Sequence, residues 1–331
     1  MKGQRMARGT RRHRLIGLAC VAASAALVLA GCGGGNIKSS DTSAAGGKSC
    51  GDLNIAVNPW TGYVTNAHLI GYVAQTKLGC KVAYQDVKEE VGWQGMANGT
   101  IDTIVENWGH PDLKKKYIAQ QKTVEEAGPT GSKGIIGWYV PPWMAQKYPD
   151  ITNWKNLNKY ADMFKTSESG DKGQLLDGDP SYVTNDVALV KNLNLNFKVI
   201  FTGSEDALIQ AFKNAEAQKK WVIGYFYEPQ WFLSEVKLVH ISLPPYTPGC
   251  DADAQKVACD YQPYDLDKIG RKQFVDSGTP AAELIKNFSW TNDDQNSVAR
   301  DLTVRKLSQD QAAKAWLDAN QDVWQKWLPK K

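Results

Sequence analysis

Four tryptophans stand where a strand would run into a turn. They are Trp60 in Asn58-Pro59-Trp60-Thr61-Gly62, Trp108 in Glu106-Asn107-Trp108-Gly109-His110-Pro111, Trp138 in Gly137-Trp138-Tyr139-Val140-Pro141, and Trp231 in Tyr227-Glu228-Pro229-Gln230-Trp231. A tryptophan used only for packing falls on the buried stripe of a helix or strand, whereas loops at strand ends are exposed and carry function. Several indole faces meeting at one point make a box for a cation, above all for a cation with no N–H to donate. Trp316, Trp324 and Trp327 recur at helical spacing near the C-terminus and read as packing residues.

Such a box has to be positioned by a folded scaffold. The 331 residues are 42% hydrophobic and 22% charged, ordinary globular composition that excludes fibrous and disordered readings. The formal charge of +4 is misleading, because six of the 39 basic residues (Lys2, Arg5, Arg8, Arg11, Arg12 and Arg14) lie in a leader without acidic residues. Setting those six aside leaves 33 basic against 35 acidic residues, so nucleic-acid binding loses its support. In the leader, an apolar run from Leu15 to Ala30 ends in Leu29-Ala30-Gly31-Cys32, the pattern of a bacterial lipoprotein signal in which the Cys32 thiol takes a diacylglycerol. The run is shorter than the ~20 residues a spanning helix needs. Arg11-Arg12 leaves a twin-arginine export signal open beside the general route.

Four cysteines remain in the exported chain, Cys50, Cys80, Cys250 and Cys259, and an even number there reads as disulfides. Three connectivities are possible. We favour Cys50 with Cys80, which precede the first and second strands, and Cys250 with Cys259, which bracket a polar loop. Zinc is not expected: there is no C-x-x-C, and His68, His110 and His240 are scattered.

A Gly- and Ser-rich tether over residues 32–49 separates the leader (1–31) from the folded part. Strand patterns at Leu53–Val57, Lys81–Val87 and Ile101–Val105 alternate with helical spacing, and a second such set runs from Gly134 to Phe226. The fold class expected is α/β, with two lobes, chain crossings near residues 134–140 and 233–240, and a helical C-terminal tail. One lobe would comprise residues 50–137 and 236–331 and the other residues 138–235. Open α/β sheets bind ligands at strand carboxyl ends, and a cleft between lobes holds a pocket.

The leader, the tether, the two lobes, the four tryptophans and the tail motif Asn287-Phe288-Ser289-Trp290-Thr291 together resemble the substrate-binding proteins of ABC importers for glycine betaine, proline betaine and choline. The resemblance covers residues 50–331 and implies a type II periplasmic-binding-protein fold. It also implies an aromatic box, drawn from both lobes, around a quaternary ammonium group, with Trp60, Trp108, Trp138 or its neighbour Tyr139, and Trp231 in that role. The implied partners are a small quaternary amine, an ABC permease with its ATPase, and the membrane through the lipid on Cys32; no cofactor is implied.

Trp138 and Tyr139 point to opposite faces of a regular strand, so one of them faces the cleft, and we favour Trp138. Tyr225 and Tyr227 stand in reserve for Trp231. The carboxylate of a betaine needs donors, which helix N-termini supply at Thr61-Gly62 and at Gly178-Asp179-Pro180-Ser181, making Gly62 and Asp179 candidates. Choline-selective relatives tend to place an acidic residue soon after the first tryptophan. Thr61-Gly62-Tyr63 lacks one, which favours glycine betaine, while Asp179 keeps choline or carnitine open. A carbohydrate-binding lipoprotein is the rival reading, since sugars also stack on tryptophan. No G-x-S-x-G, H-E-x-x-H or P-loop motif supports an enzyme.

Overall fold

The computed structural model describes residues 49–182 and 184–330. The leader, most of the tether and Cys32 lie outside them. From β1 (Asp52–Val57) the chain enters α1 (Thr61–Leu78), which ends on Gly79 in the left-handed region at φ 69°. It returns through β2 (Lys81–Asp86), α2 (Glu89–Asn98) and β3 (Thr103–Asn107), with β1 parallel to both β2 and β3. All five residues of β3 are buried, as in a central strand covered on both faces. The Cys50–Cys80 disulfide ties the starts of β1 and β2, and Cys250–Cys259 closes the polar loop, so both favoured pairings form.

The strand β4 (Val124–Val140) runs for 17 residues and joins two half-sheets. Its first part pairs with the late strand β9 (Tyr264–Arg271); its second part, from Ile135, pairs with β7 (Gly224–Glu228). Between these lie β5 (Gly173–Asp177), α3 (Asp186–Asn192), β6 (Phe197–Phe201) and α4 (Glu205–Gln218), whose Ser204 N-cap accepts from the Ala207 N–H at 3.2 Å. The strand order is β2-β1-β3-β9-β4-β7-β5-β6, with β8 (Val239–His240) beside β4.

The first crossing is β4 itself. The second, expected near residues 233–240, falls later: β8 pairs with the second part of β4, Ser242 bridges to Asn153, and only β9 re-enters the first half. Sequence patterning did not show β9, because a lysine, Lys268, points inward directly after Asp265-Leu266-Asp267. Lys268 is fully buried and its Nζ donates to the carbonyls of Lys286, at 3.0 Å, and Phe288.

The tail carries α5 (Pro280–Asn287), α6 (Asn292–Thr303) and α7 (Gln309–Ala319). The last two open with capping boxes, Thr291 with Asp294 and Ser308 with Gln311. The tail tryptophans pack as expected: Trp316 stacks on Trp327 at 5.6 Å, and the Trp324 N–H donates to the Leu317 carbonyl.

Candidate functional site

Where β3 and β7 end, a cavity of about 410 Å³ opens between the two halves. Its walls include Trp60 at the start of α1, Trp108 just after β3, Tyr182, Tyr225 and Tyr227 on β7, Tyr261, and Tyr264 at the start of β9. The rings form a chain. Trp60 meets Tyr182 edge-on at 5.8 Å, Tyr182 lies 6.3 Å from Tyr225, Tyr225 lies 5.8 Å from Tyr227, and Tyr227 meets Trp108 edge-on at 5.8 Å. Tyr264 closes against Trp108 at 5.8 Å. A more open groove of about 670 Å³ lies beside Trp60 and Thr61, lined by Val64, Leu302 and Leu307. It offers one indole and no aromatic enclosure.

The two tryptophans are locked by one carboxylate. Glu106, 1% exposed on β3, accepts the indole N–H of Trp60 and that of Trp108 on the same Oε1, each at 2.8 Å. Its Oε2 accepts from Gln295 Nε2 at 2.9 Å and from Asn66 Nδ2. Burial pushes this carboxyl upward, and the four hydrogen bonds offset only part of that push, leaving its pKa raised. Small residues make the space: a Cβ on Gly134 would lie 2.6 Å from Cζ3 of Trp108, and one on Gly178 would lie 2.7 Å from the Tyr182 ring.

The charges around the cavity are mostly negative. Glu89, Glu90, Asp112 and Asp251 line it, and among the lining residues only His110 can become positive. Burial disfavours the His110 imidazolium, but the 3.1 Å contact with Glu89 and the nearby Asp267 outweigh it and leave the pKa raised. Burial first, then the carboxylates Glu205 and Asp177, pushes Tyr227 and Tyr225 respectively well up, so both remain neutral phenols.

Of the residues singled out in the sequence, Trp60 and Trp108 face the cavity. Trp138 does not. It lies opposite Tyr225 across the β4–β7 pair and so shares the cleft-side face, but it is fully buried, donating its indole N–H to Asp186 at 2.8 Å. Asp186 also accepts from the Tyr261 hydroxyl at 2.7 Å, so Trp138 supports the cavity wall from behind. Tyr139 lies on the opposite face against Phe226 and His240. Trp231 sits in a short 3-10 helix, Trp231–Ser234, packed on Phe232 at 6.0 Å and away from the cavity.

Gly62 is a packing glycine: a Cβ there would collide with Gln295 Nε2, the group that reaches Glu106. Asp179 accepts from Ser181 N–H within its own turn at 2.8 Å and lies outside the cavity wall. The α1 N-terminus, expected to receive a ligand carboxylate, is occupied by protein: Glu205 of α4 accepts from the Thr61 N–H at 2.9 Å and from its hydroxyl, as well as from Tyr227 and Gln230. Burial pushes Glu205 up against the pull of the Thr61 and Tyr227 bonds.

The wall residues missed from the sequence are Tyr182, Tyr261 and Tyr264, together with Glu106 behind Trp60 and Trp108. Tyr225 and Tyr227, held in reserve, do face the cavity. Their signal was the period-two pattern Tyr225-Phe226-Tyr227, which puts both tyrosines on one face and Phe226 in the core.

The chain as a whole is similar to several known proteins. Residues 51–319 match the family model described as the substrate-binding domain of ABC-type glycine betaine transport systems. A trimethylamine N-oxide-binding protein from Pelagibacter ubique (strain HTCC1062) is 26% identical over 279 residues, which cover 82% of this chain and 88% of that protein. Among solved structures, lactococcal OpuAC in its closed form with glycine betaine superimposes with a TM-score of 0.66 at 21% identity, over 84% of this chain and 99% of that one. An ABC-transporter choline-binding protein in complex with choline gives 0.69 at 17% identity, over 84% and 92%. These likenesses establish the type II periplasmic-binding-protein fold. With four-fifths of its length inside the family model, the chain belongs to the extracytoplasmic substrate-binding domains of ABC-type glycine betaine transport systems.

Proposed function

We propose that the cavity captures a small solute through its trimethylammonium head and hands it to an ABC permease, with the protein held at the outer membrane face by a lipid on Cys32. The observation that carries this reading is the continuous aromatic lining from both halves, Trp60, Tyr182, Tyr225, Tyr227, Trp108 and Tyr264, backed by a buried carboxylate. A methylated ammonium donates no conventional hydrogen bond, so ring faces and dispersion must hold it. The lining carboxylates and amides can also serve sugar hydroxyls, so maltose is included in the titration that separates the two readings.

Glycine betaine, expected from the sequence, fits the polar end less well than choline or trimethylamine N-oxide. Its carboxylate would enter a cavity lined by Glu89, Glu90, Asp112 and Asp251 without a lysine or arginine, and the Thr61 N–H is already engaged by Glu205. A hydroxyl or an N-oxide oxygen needs only neutral donors or acceptors, which the tyrosine hydroxyls, Asn185 and Gln262 supply. The relative that binds trimethylamine N-oxide supports the same preference. Glycine betaine stays as the second reading because His110, raised toward its charged form, can receive a carboxylate. Fluorescence titration of the full chain with choline, trimethylamine N-oxide, glycine betaine, carnitine, proline and maltose tests both. Saturable changes with the first two at lower concentrations than glycine betaine are expected; a response to maltose alone would reject the reading.

A further inference from the structure

We infer that Glu106 is a fixed counter-charge that makes the cage select solutes bearing a formal positive charge over uncharged solutes of the same shape. The inference rests on the functional reading above and assigns to Glu106 a role beyond holding two side chains in place.

The hydrogen bonds define its charge state. Both donors on Oε1 are indole N–H groups, of Trp60 and Trp108, and an indole nitrogen cannot accept. Both donors on Oε2 are amide nitrogens, of Asn66 and Gln295. The oxygens of those two amides, Asn66 Oδ1 and Gln295 Oε1, find no donor among the described residues. The two indoles can only donate, which fixes Oε1 as an acceptor, and as placed each amide points its NH₂ at Oε2 with its own oxygen unsatisfied. Four donors and no acceptor surround Glu106, the environment of an ionised carboxylate.

No basic side chain pairs with this charge among the described residues, although the group is buried. An isolated buried charge is costly, and in a low-dielectric setting its attraction for a nearby opposite charge is strong. The two indoles lie between this carboxylate and the cavity. Each bond polarises its ring, since an anionic acceptor on the N–H raises the electron density of the face that meets the ligand. A neutral isostere fills the same space and gains neither effect.

The test uses choline and its uncharged carbon isostere 3,3-dimethyl-1-butanol, titrated calorimetrically into the full chain and into Glu106→Gln. The glutamine is nearly isosteric. Its oxygen can keep both indole bonds, and its NH₂ can donate to Asn66 Oδ1 and Gln295 Oε1 once those amides turn over, so the variant can satisfy every partner. Choline affinity should fall at least about tenfold in Glu106→Gln while the isostere changes by less than about threefold. Equal losses for the two ligands would show that Glu106 only shapes the cage and would overturn the inference, as would undiminished choline binding. If the variant does not fold, the wild type still decides: a choline preference over the isostere above the roughly thousandfold that two tryptophan faces supply supports the inference, and a smaller one overturns it. Wild-type protein that binds neither choline nor tetramethylammonium would instead fail the functional reading itself.

Discussion

Replacing Trp108 by alanine removes one wall of the cage and leaves the other in place. The ring contacts Tyr227 and Tyr264, each at 5.8 Å, and gives its N–H to Glu106, which keeps Trp60 at 2.8 Å after the change. A desolvated cation–π face contributes about 2 kcal/mol. Losing it weakens binding about thirtyfold, since about 1.4 kcal/mol is a factor of ten. Trp108 is only half-buried, so its stability cost should fall at or below the low end of the ~3–5 kcal/mol seen for buried Trp→Ala changes. Trp231→Ala is the control. That residue is as well buried as Trp60 but lies outside the cavity wall, so its loss should lower the melting temperature and leave affinity within about threefold. Calorimetric titration with choline and trimethylamine N-oxide, on samples shown folded by circular dichroism, separates the two. Near wild-type affinity in Trp108→Ala, or equal losses in both variants, would refute the placement of the cage.

Gly134→Ala should weaken binding without touching the ligand, because the new methyl lies 2.6 Å from the Trp108 ring and 3.0 Å from Leu266 and must push the indole out of register; unchanged affinity by titration would contradict this. Lys268 makes a pH prediction. Burial lowers its pKa to about 7, against about 10.4 in an unfolded chain, so between those values the unfolded state binds more protons and stability rises with pH by at most about 1.4 kcal/mol per unit. Scanning calorimetry from pH 7 to 9 should show this rise and a flatter profile for Lys268→Met; identical slopes would remove Lys268 as the cause. Cys32→Ala should move the protein from the membrane fraction to the soluble one, and recovery of a lipid-bearing mutant in the membrane would end the anchoring hypothesis.

Trp60 and Trp108 were legible because each ends a strand beside turn residues, a local signal. Alternation along β4 set Trp138 and Tyr139 on opposite faces, and the favoured Trp138 does share the face of Tyr225, but its depth was not legible. Depth depends on where Tyr261 and Asp186 close over the strand, and those residues lie far along the chain. Glu106 shows the same limit more strongly: its partners Trp60, Asn66, Trp108 and Gln295 come from as far as 189 residues away, and no spacing rule links them. Tyr182 depends on the space beside Gly178, and β9 was hidden by an inward lysine in an otherwise alternating strand. The parallel strand–helix units and the helical tail were readable because periodicity and capping are properties of short segments.

The most direct measurement is a crystal structure of the protein with choline or trimethylamine N-oxide bound. The trimethylammonium nitrogen should lie within about 6 Å of the ring centroids of Trp60 and Trp108 and of at least one of Tyr182, Tyr225 and Tyr227, with Glu106 still joining the two indoles. A head group seated against Trp138, Tyr139 or Trp231, or outside the cavity altogether, would contradict the cage described here.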